Sequence, residues 1–301
     1  MIEFFNPINQ MFLSGMDRIQ ARQQRAQQQL TTGLKINTIS DDPDQIANLM
    51  QVRSTLAQTQ QISANLGRVK TETDTGENAL QNAVKLLDSV ATLAAEAEPN
   101  MQTAASRSQI AGEVGADLEQ LVGIANTSVE GRFIFSGDTD QTQPYTIDMT
   151  QASPVSAYAG SAATRQIQHP DGSLFQISKT AQEIFDSTDP TTNVFLAVSS
   201  LRIALVNNDQ NGINQSITDL KNASTYLNSQ LAFYGTVQNR VNGALDFAAN
   251  LTTQLQAEQS GIQDADLTAS ITELNQASTQ QQAALAAERQ IPRTSLFDYL
   301  G

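Results

Sequence analysis

Cysteine is absent from this chain, so disulfides, thiolate metal sites and thiol nucleophiles are all excluded, and the fold is indifferent to redox compartment. Aromatic residues make up only 5% of the 301 positions, and no window approaches the ~20 apolar residues that span a bilayer. The first fifteen residues, which include Glu3, Asn6, Pro7, Asn9 and Gln10, lack the basic start and unbroken apolar stretch of a cleaved secretory signal. Export, if it happens, is expected to use another machine. Positive charge is scarce as well. The formal net charge of -14 argues against nucleic acid or an anionic membrane as partner, because both need clustered Lys and Arg facing phosphate.

What is present is a text of Ala, Gln, Thr, Ser and Asn with apolar residues at helical spacing, 40% apolar in total. From Phe12 the stripe Phe12, Met16, Ile19, Ala26 and Leu30 predicts an amphipathic helix with Arg18, Arg22 and Arg25 on its other faces. Gly33 ends it, and 34–39 reads as an extended connector. At Ser40-Asp41-Asp42-Pro43-Asp44-Gln45, Asp42 is placed to cap a new helix, Pro43 suits its first position and Gln45 can reach back. The 3-4 alternation then runs unbroken through Ile62, Leu66, Val69, Leu80, Leu87 and Ala94. At ~1.5 Å per residue such a helix would be about 80 Å long, too long for a compact domain and suited to a rod.

Pro99-Asn100 predicts a turn, and Ile110, Val114, Leu118, Leu121 and Ala125 a returning helix. Arg132 to Gly137 reads as a short strand. From Asp138 to about Pro190 the composition turns to Thr, Ser, Asp, Gly and Pro, with a hairpin expected around Pro170-Asp171-Gly172. Helical spacing returns at Val194, Val198, Leu201 and Leu205, breaks over 207–212, and resumes from Leu220 to Leu255 until Ser260-Gly261. Asp264 and Asp266 start a last helix that Pro292 ends before an apolar tail. The order is nearly palindromic, and the fold class is mainly α: a long antiparallel helical rod, a coiled-coil bundle formed by both chain ends, with a small inserted β-rich domain. Three parts are expected: a terminal coiled coil of 1–42 with 265–301, a rod of 43–137 with 191–264, and an outer insert of 138–190. Between Arg18 and Lys35 there are four basic residues and no acid, whereas Asp246 to Glu288 has acids and no Lys or Arg. Pairing of the two ends brings these signs together.

Motifs for chemistry are thin. His169, the only histidine, precedes Pro170 in the expected turn and reads as a solvated loop residue without a partner in sequence. No phosphate-binding glycine loop and no Gly-x-Ser-x-Gly elbow occurs. Asp41, Asp42 and Asp44, or Asp138 and Asp140, lack the glycine and terminal Glu of a calcium loop, so capping and turn formation are expected of them. No cofactor, metal or catalytic residue is assigned. A secreted enzyme with a catalytic insert stays as an alternative that would need a deep pocket lined by carboxylates or His169.

The ends read as assembly elements. Their stripes are too narrow to order them alone, since each buried methylene contributes ~0.8 kcal/mol against roughly 1 to 2 kcal/mol of backbone entropy per residue. In a tube of identical copies the same stripes are covered on several sides. The candidate interface is Phe12, Met16, Ile19, Ala26 and Leu30 at one end, and Leu267, Ile271, Leu274, Ala277, Ala284, Leu285, Leu296, Phe297 and Leu300 at the other.

Leu30-Thr31-Thr32-Gly33-Leu34-Lys35-Ile36-Asn37 followed by Ser40-Asp41-Asp42-Pro43, and the tail from Asp264-Ala265-Asp266 through Gln281-Gln282-Ala283 to Leu300, resemble the two terminal signatures of bacterial flagellins and hook-associated proteins. Gly131-Arg132-Phe133-Ile134-Phe135-Ser136-Gly137, Pro144-Tyr145, Tyr158-Ala159-Gly160 and the ending Ser295 to Leu300 resemble the hook–filament junction branch more than a flagellin. The resemblance implies a flagellar structural protein with an outer β domain, a helical rod and terminal coiled coils. It also implies type III export and an export chaperone on the C-terminal helix, about Leu267 to Leu300. A junction protein would form a homo-oligomeric adaptor ring outside the cell, touching the proximal hook-associated protein on one side and flagellin on the other. The alternative within the superfamily is a flagellin, the filament subunit itself.

Overall fold

The computed structural model describes residues 7–97, 102–151 and 153–290. The turn expected at Pro99-Asn100 and the tail after Pro292 lie outside the described residues. Seven helices are found among the described residues: α1 Pro7–Thr32, α2 Pro43–Glu96, α3 Ala104–Ala125, α4 Ala181–Phe185, α5 Val194–Val206, α6 Gln210–Gln263 and α7 Leu267–Gln290. Between α3 and α4 lie β1 Ser128–Val129, β2 Arg132–Phe133, β3 Gln166–Gln168 and β4 Leu174–Gln176, paired as two antiparallel two-stranded ladders. The chain is therefore mainly helical with a small β-containing insert. It divides into two compact units, Met1–Gln58 with Leu251–Gly301, and Thr59–Asn250.

In the first unit α1 and α7 run antiparallel. Arg22 Nε lies 3.3 Å from Glu273 Oε1, and Arg22 also donates to Gln280. Gln23 Nε2 donates to Gln281 Oε1 at 3.0 Å, and Ser270 Oγ donates to Gln29 Oε1 at 3.0 Å. As position rises along α1 its partner falls along α7, and the basic start meets the acidic end as the charge pattern predicts. α1 stops where Gly33 takes φ +73°, which favours glycine, and its N–H closes on the Gln29 carbonyl at 2.8 Å.

The connector after Gly33 is not extended throughout. It makes one bridge, Leu34 with Asp264, and then bends so that Ile36 is buried. Lys35 N donates to Gln263 O at 2.7 Å and Ala265 N to Gly33 O at 2.9 Å, so the two helix-to-helix connections are zipped together. The same zipper explains why α6 runs past the predicted stop at Ser260-Gly261. An exposed helical glycine costs only ~1 kcal/mol, and the Gln263 carbonyl at the true end has the Lys35 amide as its partner. Asp266 starts α7 as expected, its Oδ1 accepting from Ala269 N at 3.0 Å. Pro43 is the first residue of α2, but the turn before it is closed by Asp41, whose Oδ2 accepts from Asn37 N at 2.9 Å and Thr38 N at 2.7 Å. Asp42 instead reaches Lys35 Nζ at 3.0 Å.

The second unit holds the main core. Leu80, Leu87, Val90 and Ala94 of α2 pack with Val114, Leu118 and Leu121 of α3, Val198, Leu201 and Leu205 of α5, and Leu220 and Leu227 of α6. These are the stripes that helical periodicity predicts. Gln238 Nε2 donates to Asp74 Oδ1 at 2.9 Å, while the Tyr234 ring covers Gly76, so α2 and α6 are antiparallel here. The predicted hairpin forms, with Ile167 opposite Phe175, and packs Ile167 and Ile177 onto Ile62, Leu66, Val69, Val237 and Val241. The strand expected over 132–137 is shorter. Pairing stops at Phe133, and Ile134 and Phe135 turn into the helical core, where Phe135 meets Phe185 and Tyr234 edge-on at 6.3 and 6.1 Å between ring centres. Burying a large aromatic outweighs two more ladder bonds. Phe135→Ala is expected to lower unfolding free energy by about 3–5 kcal/mol, measured by denaturant titration.

Asp41 makes the connector of the first unit sensitive to acid. Amide donors from Thr38 and Asn37 hold its carboxyl below the usual 3.8. A depressed folded pKa contributes stability that is present above 3.8 and is lost as pH falls through the lower folded value. Asp41→Asn is therefore expected to leave the connector looser at neutral pH and to remove its acid-dependent loosening below about pH 4. Amide exchange at Asn37 and Thr38 across pH checks this.

Candidate assembly surface

The predicted interface residues separate into covered and uncovered ones. On α1, Ala26 is buried, and Phe12, Met16, Ile19 and Leu30 are half-buried. On α7, Ala277 is buried and Leu274 and Ala284 are half-buried, whereas Leu267, Ile271 and Leu285 are 48%, 51% and 45% exposed. The structure thus brings α1 and α7 together along the alanines and leaves a row of larger apolar groups of α7 facing outward. Leu296, Phe297 and Leu300 lie outside the described residues. Met11 and Leu13 of α1, which periodicity places off the predicted stripe, are also exposed, at 74% and 59%.

The second unit contributes a crossing made by the residues from Arg132 to Gly160. Gly137 takes φ +67°, and a Cβ there would collide with the Ser161 and Ala163 carbonyl oxygens. Tyr158 Oη donates to Phe135 O at 3.0 Å and lies 3.2 Å from Ser161 O, while the Asn126 side chain clips the Tyr145 backbone at 2.8 and 3.0 Å. Tyr145 is fully buried against Tyr158 and Phe195. Gly137, Gly160, Tyr145 and Tyr158 of the motif thus stand where backbone crosses backbone, whereas Gly131, at φ +78° with open space around it, serves the turn between β1 and β2. Burial raises the Tyr158 phenol to about 12 and pushes those of Tyr145 and Tyr234 further up, so all three are neutral: Tyr158 and Tyr145 donate to Phe135 O and Asp186 Oδ2, and Tyr234 Oη accepts from Lys179 N.

Sequence reasoning missed the ionic part of this region. Glu72 of α2, with its side chain 10% exposed, lies 3.0 Å from Arg132 Nη2 and 2.8 Å from Arg165 Nη2. One carboxylate therefore ties β2 and the start of the hairpin to α2. The partners are 60 and 93 positions apart, and no local pattern links them. A basic residue next to a buried aromatic strand was the only available signal. Asp140 stands 3.8 Å from Arg132, which gives it a turn role beside an ion pair.

His169 differs from the solvated, unpartnered residue that its position predicts. Its Nδ1 accepts from Asp171 N at 3.2 Å and lies 3.0 Å from Asp171 Oδ1, and its ring packs at 5.2 Å from Phe247 of α6. The side chain is a hairpin anchor. Among the described residues no three His, Asp or Glu side chains are grouped to hold a metal, and no helix is long and apolar enough to cross a membrane.

Comparison with known proteins agrees with this architecture. The model of the bacterial flagellin N-terminal helical region matches residues 6–140, and that of the bacterial flagellin C-terminal helical region matches 217–300. Among curated relatives, flagellin B of Helicobacter pylori is 30% identical over 143 residues, which is 47% of this chain but only 28% of that protein. Flagellar hook-associated protein 3 of Escherichia coli is 26% identical over 82% of this chain and 77% of its own. In structure, flagellar hook associated protein-3 of Legionella pneumophila aligns with a TM-score of 0.63 at 13% identity, over 71% of this chain and 98% of that one. FlgL of Xanthomonas campestris aligns at 0.60 and 17%, over 69% and 99%. With both terminal helical regions matched, the chain belongs to the bacterial flagellin superfamily of flagellar structural proteins, and it shares its fold with solved hook-associated protein 3 structures.

Proposed function

We propose that this chain is the adaptor between hook and filament: a ring of copies, exported without signal cleavage, that touches the proximal hook-associated protein on one side and flagellin on the other. The observation that carries the reading is that Leu267, Ile271 and Leu285 stay exposed on α7, beside the face through which Ser270 and Gln281 meet α1. A helix so arranged gains order by burying its second face on other axial subunits. Before assembly the same row needs cover, and an export chaperone on residues 267–300 would provide it. The likeness to hook-associated protein 3 over four-fifths of the chain supports the junction over other axial positions.

A second reading, a filament subunit, is favoured by one observation: the flagellin of Halalkalibacterium halodurans is 24% identical over 91% of this chain and 90% of its own. The two differ in whether addition of copies stops. Deleting the gene separates them from each other and from an unrelated role. The junction reading predicts that hooks remain while flagellin is shed into the medium. The filament reading predicts hooks without shed flagellin, and normal filaments would contradict both.

A further inference from the structure

Beside the Tyr145 cluster the second unit has an open pocket of about 330 Å³, with Pro154 and Val155 on one wall and the first turns of α5 on the other. Asp186, the residue after α4, is the one charged side chain lining it among the described residues. Its carboxylate is held from behind. Oδ2 accepts from the Oη of the buried Tyr145 at 3.3 Å, and Oδ1 accepts from Asn193 Nδ2 at 2.8 Å. No Lys, Arg or His forms an ion pair with it among the described residues. A carboxylate offers about four acceptor directions, so two neutral donors leave roughly half of them open.

The other polar side chains of the pocket have no proton to give. Asn193 spends both amide hydrogens, on Asp186 and on the Ser187 carbonyl at 3.1 Å. Ser156 Oγ donates to Ala157 O at 3.1 Å, and Ser199 Oγ donates within α5 to Phe195 O. The Leu196 amide at the start of α5 is taken by Asn193 Oδ1 at 2.8 Å. These side chains therefore present acceptors, one of them charged, and an occupant has to bring the donors. On a chain of net charge -14 a cation also meets a favourable field.

The rest of the wall is apolar. α5 carries Arg202 as its only charged residue and buries Val194, Val198 and Leu201 in the core, yet Leu196 stays 44% exposed at the pocket. A helix this apolar is normally covered on all sides, and an aliphatic stem lying across Leu196 and Val155 supplies such cover. We propose that the pocket binds an alkyl cation, an ammonium or guanidinium group on an aliphatic stem, with Asp186 receiving the charge and Val155 and Leu196 the stem. A free amine or guanidine has this chemistry, and so does a Lys or Arg side chain of an adjoining subunit. The site goes beyond the proposed function and stands on the geometry of the single chain.

The free full-length chain is titrated with n-butylguanidinium and with n-butylammonium while the Val155 and Leu196 methyl signals are followed by NMR. Saturable shifts of both methyls are expected. The neutral analogue n-butylurea is expected to bind about tenfold or more weakly, and Asp186→Asn to weaken the two cations by a similar factor while the Leu118 and Leu201 signals keep their positions. The urea comparison uses the unaltered chain and so holds even where the variant fails to fold. Carbodiimide labelling of Asp186 with glycinamide then separates the sources. Protection in sheared flagella relative to the free chain assigns the cation to a neighbouring side chain, and equal labelling assigns it to a free amine or guanidine. Absence of saturable shifts, or equal binding of butylurea and the cations, overturns the site. Neither result touches the proposed function, because the titration involves no flagella.

Discussion

Helices in this protein are ordered to the extent that their apolar stripes are covered, and the cover is distributed unequally between its two units. In the second unit long stripes of Leu, Val and Ile on α2, α3, α5 and α6 bury one another with seven aromatic rings linked by mutual contacts. Such burial is worth roughly 1.5–3 kcal/mol per large side chain, enough to fix each helix against its neighbours. In the first unit the buried apolar side chains among the described residues are Ala26, Ile36, Leu49, Val52, Leu255 and Ala277. Two are alanines and none is aromatic. The α1–α7 pair is held instead by glutamine bonds and by one half-exposed ion pair, which contributes ~0–1 kcal/mol.

That contrast gives each unit a different kind of task. The densely packed unit is a frame: Tyr145, Tyr158 and Phe135 pin the insert to the helices, and Glu72 ties β2 and the start of the hairpin to α2 by charge. In the reading proposed above the thinly packed unit is the interface: Ala26 and Ala277 allow close approach of α1 and α7, and Leu267, Ile271 and Leu285 of α7 are exposed. On the proposed function, assembly completes what the chain leaves unfinished, and the order gained by the ends is part of the driving force for adding a copy.

Much of this was legible in the sequence because helical periodicity reports burial directly. The stripes from Leu80 to Ala94, from Val114 to Leu121 and from Val198 to Leu205 are core residues as their spacing requires. Gly33, Pro43 and Asp266 mark helix ends where their local chemistry puts them. The misreadings share a physical cause, which is that long-range partners outbid local signals. Ser260-Gly261 does not end α6, because the Gln263 carbonyl meets the Lys35 amide more than two hundred positions earlier in the chain. The strand after Arg132 ends early because Phe135 finds an aromatic pocket made by α4 and α6. His169 finds Phe247. The Glu72 bridge was invisible for the same reason. Of the proposed assembly surface, the apolar stripe on α7 could be read, but which of its residues are covered within the subunit is decided by α1.

The central claim is that α1 and α7 are marginal within one subunit and gain their order from neighbouring copies. Amide hydrogen exchange compared between the dilute subunit and assembled flagella measures this directly. The account predicts fast exchange over Phe12 to Leu30 in the free subunit, strong protection there after assembly, and equal protection of Val114 to Val122 in both states. Protection of Phe12 to Leu30 in the free subunit as strong as that of Val114 to Val122 would contradict it.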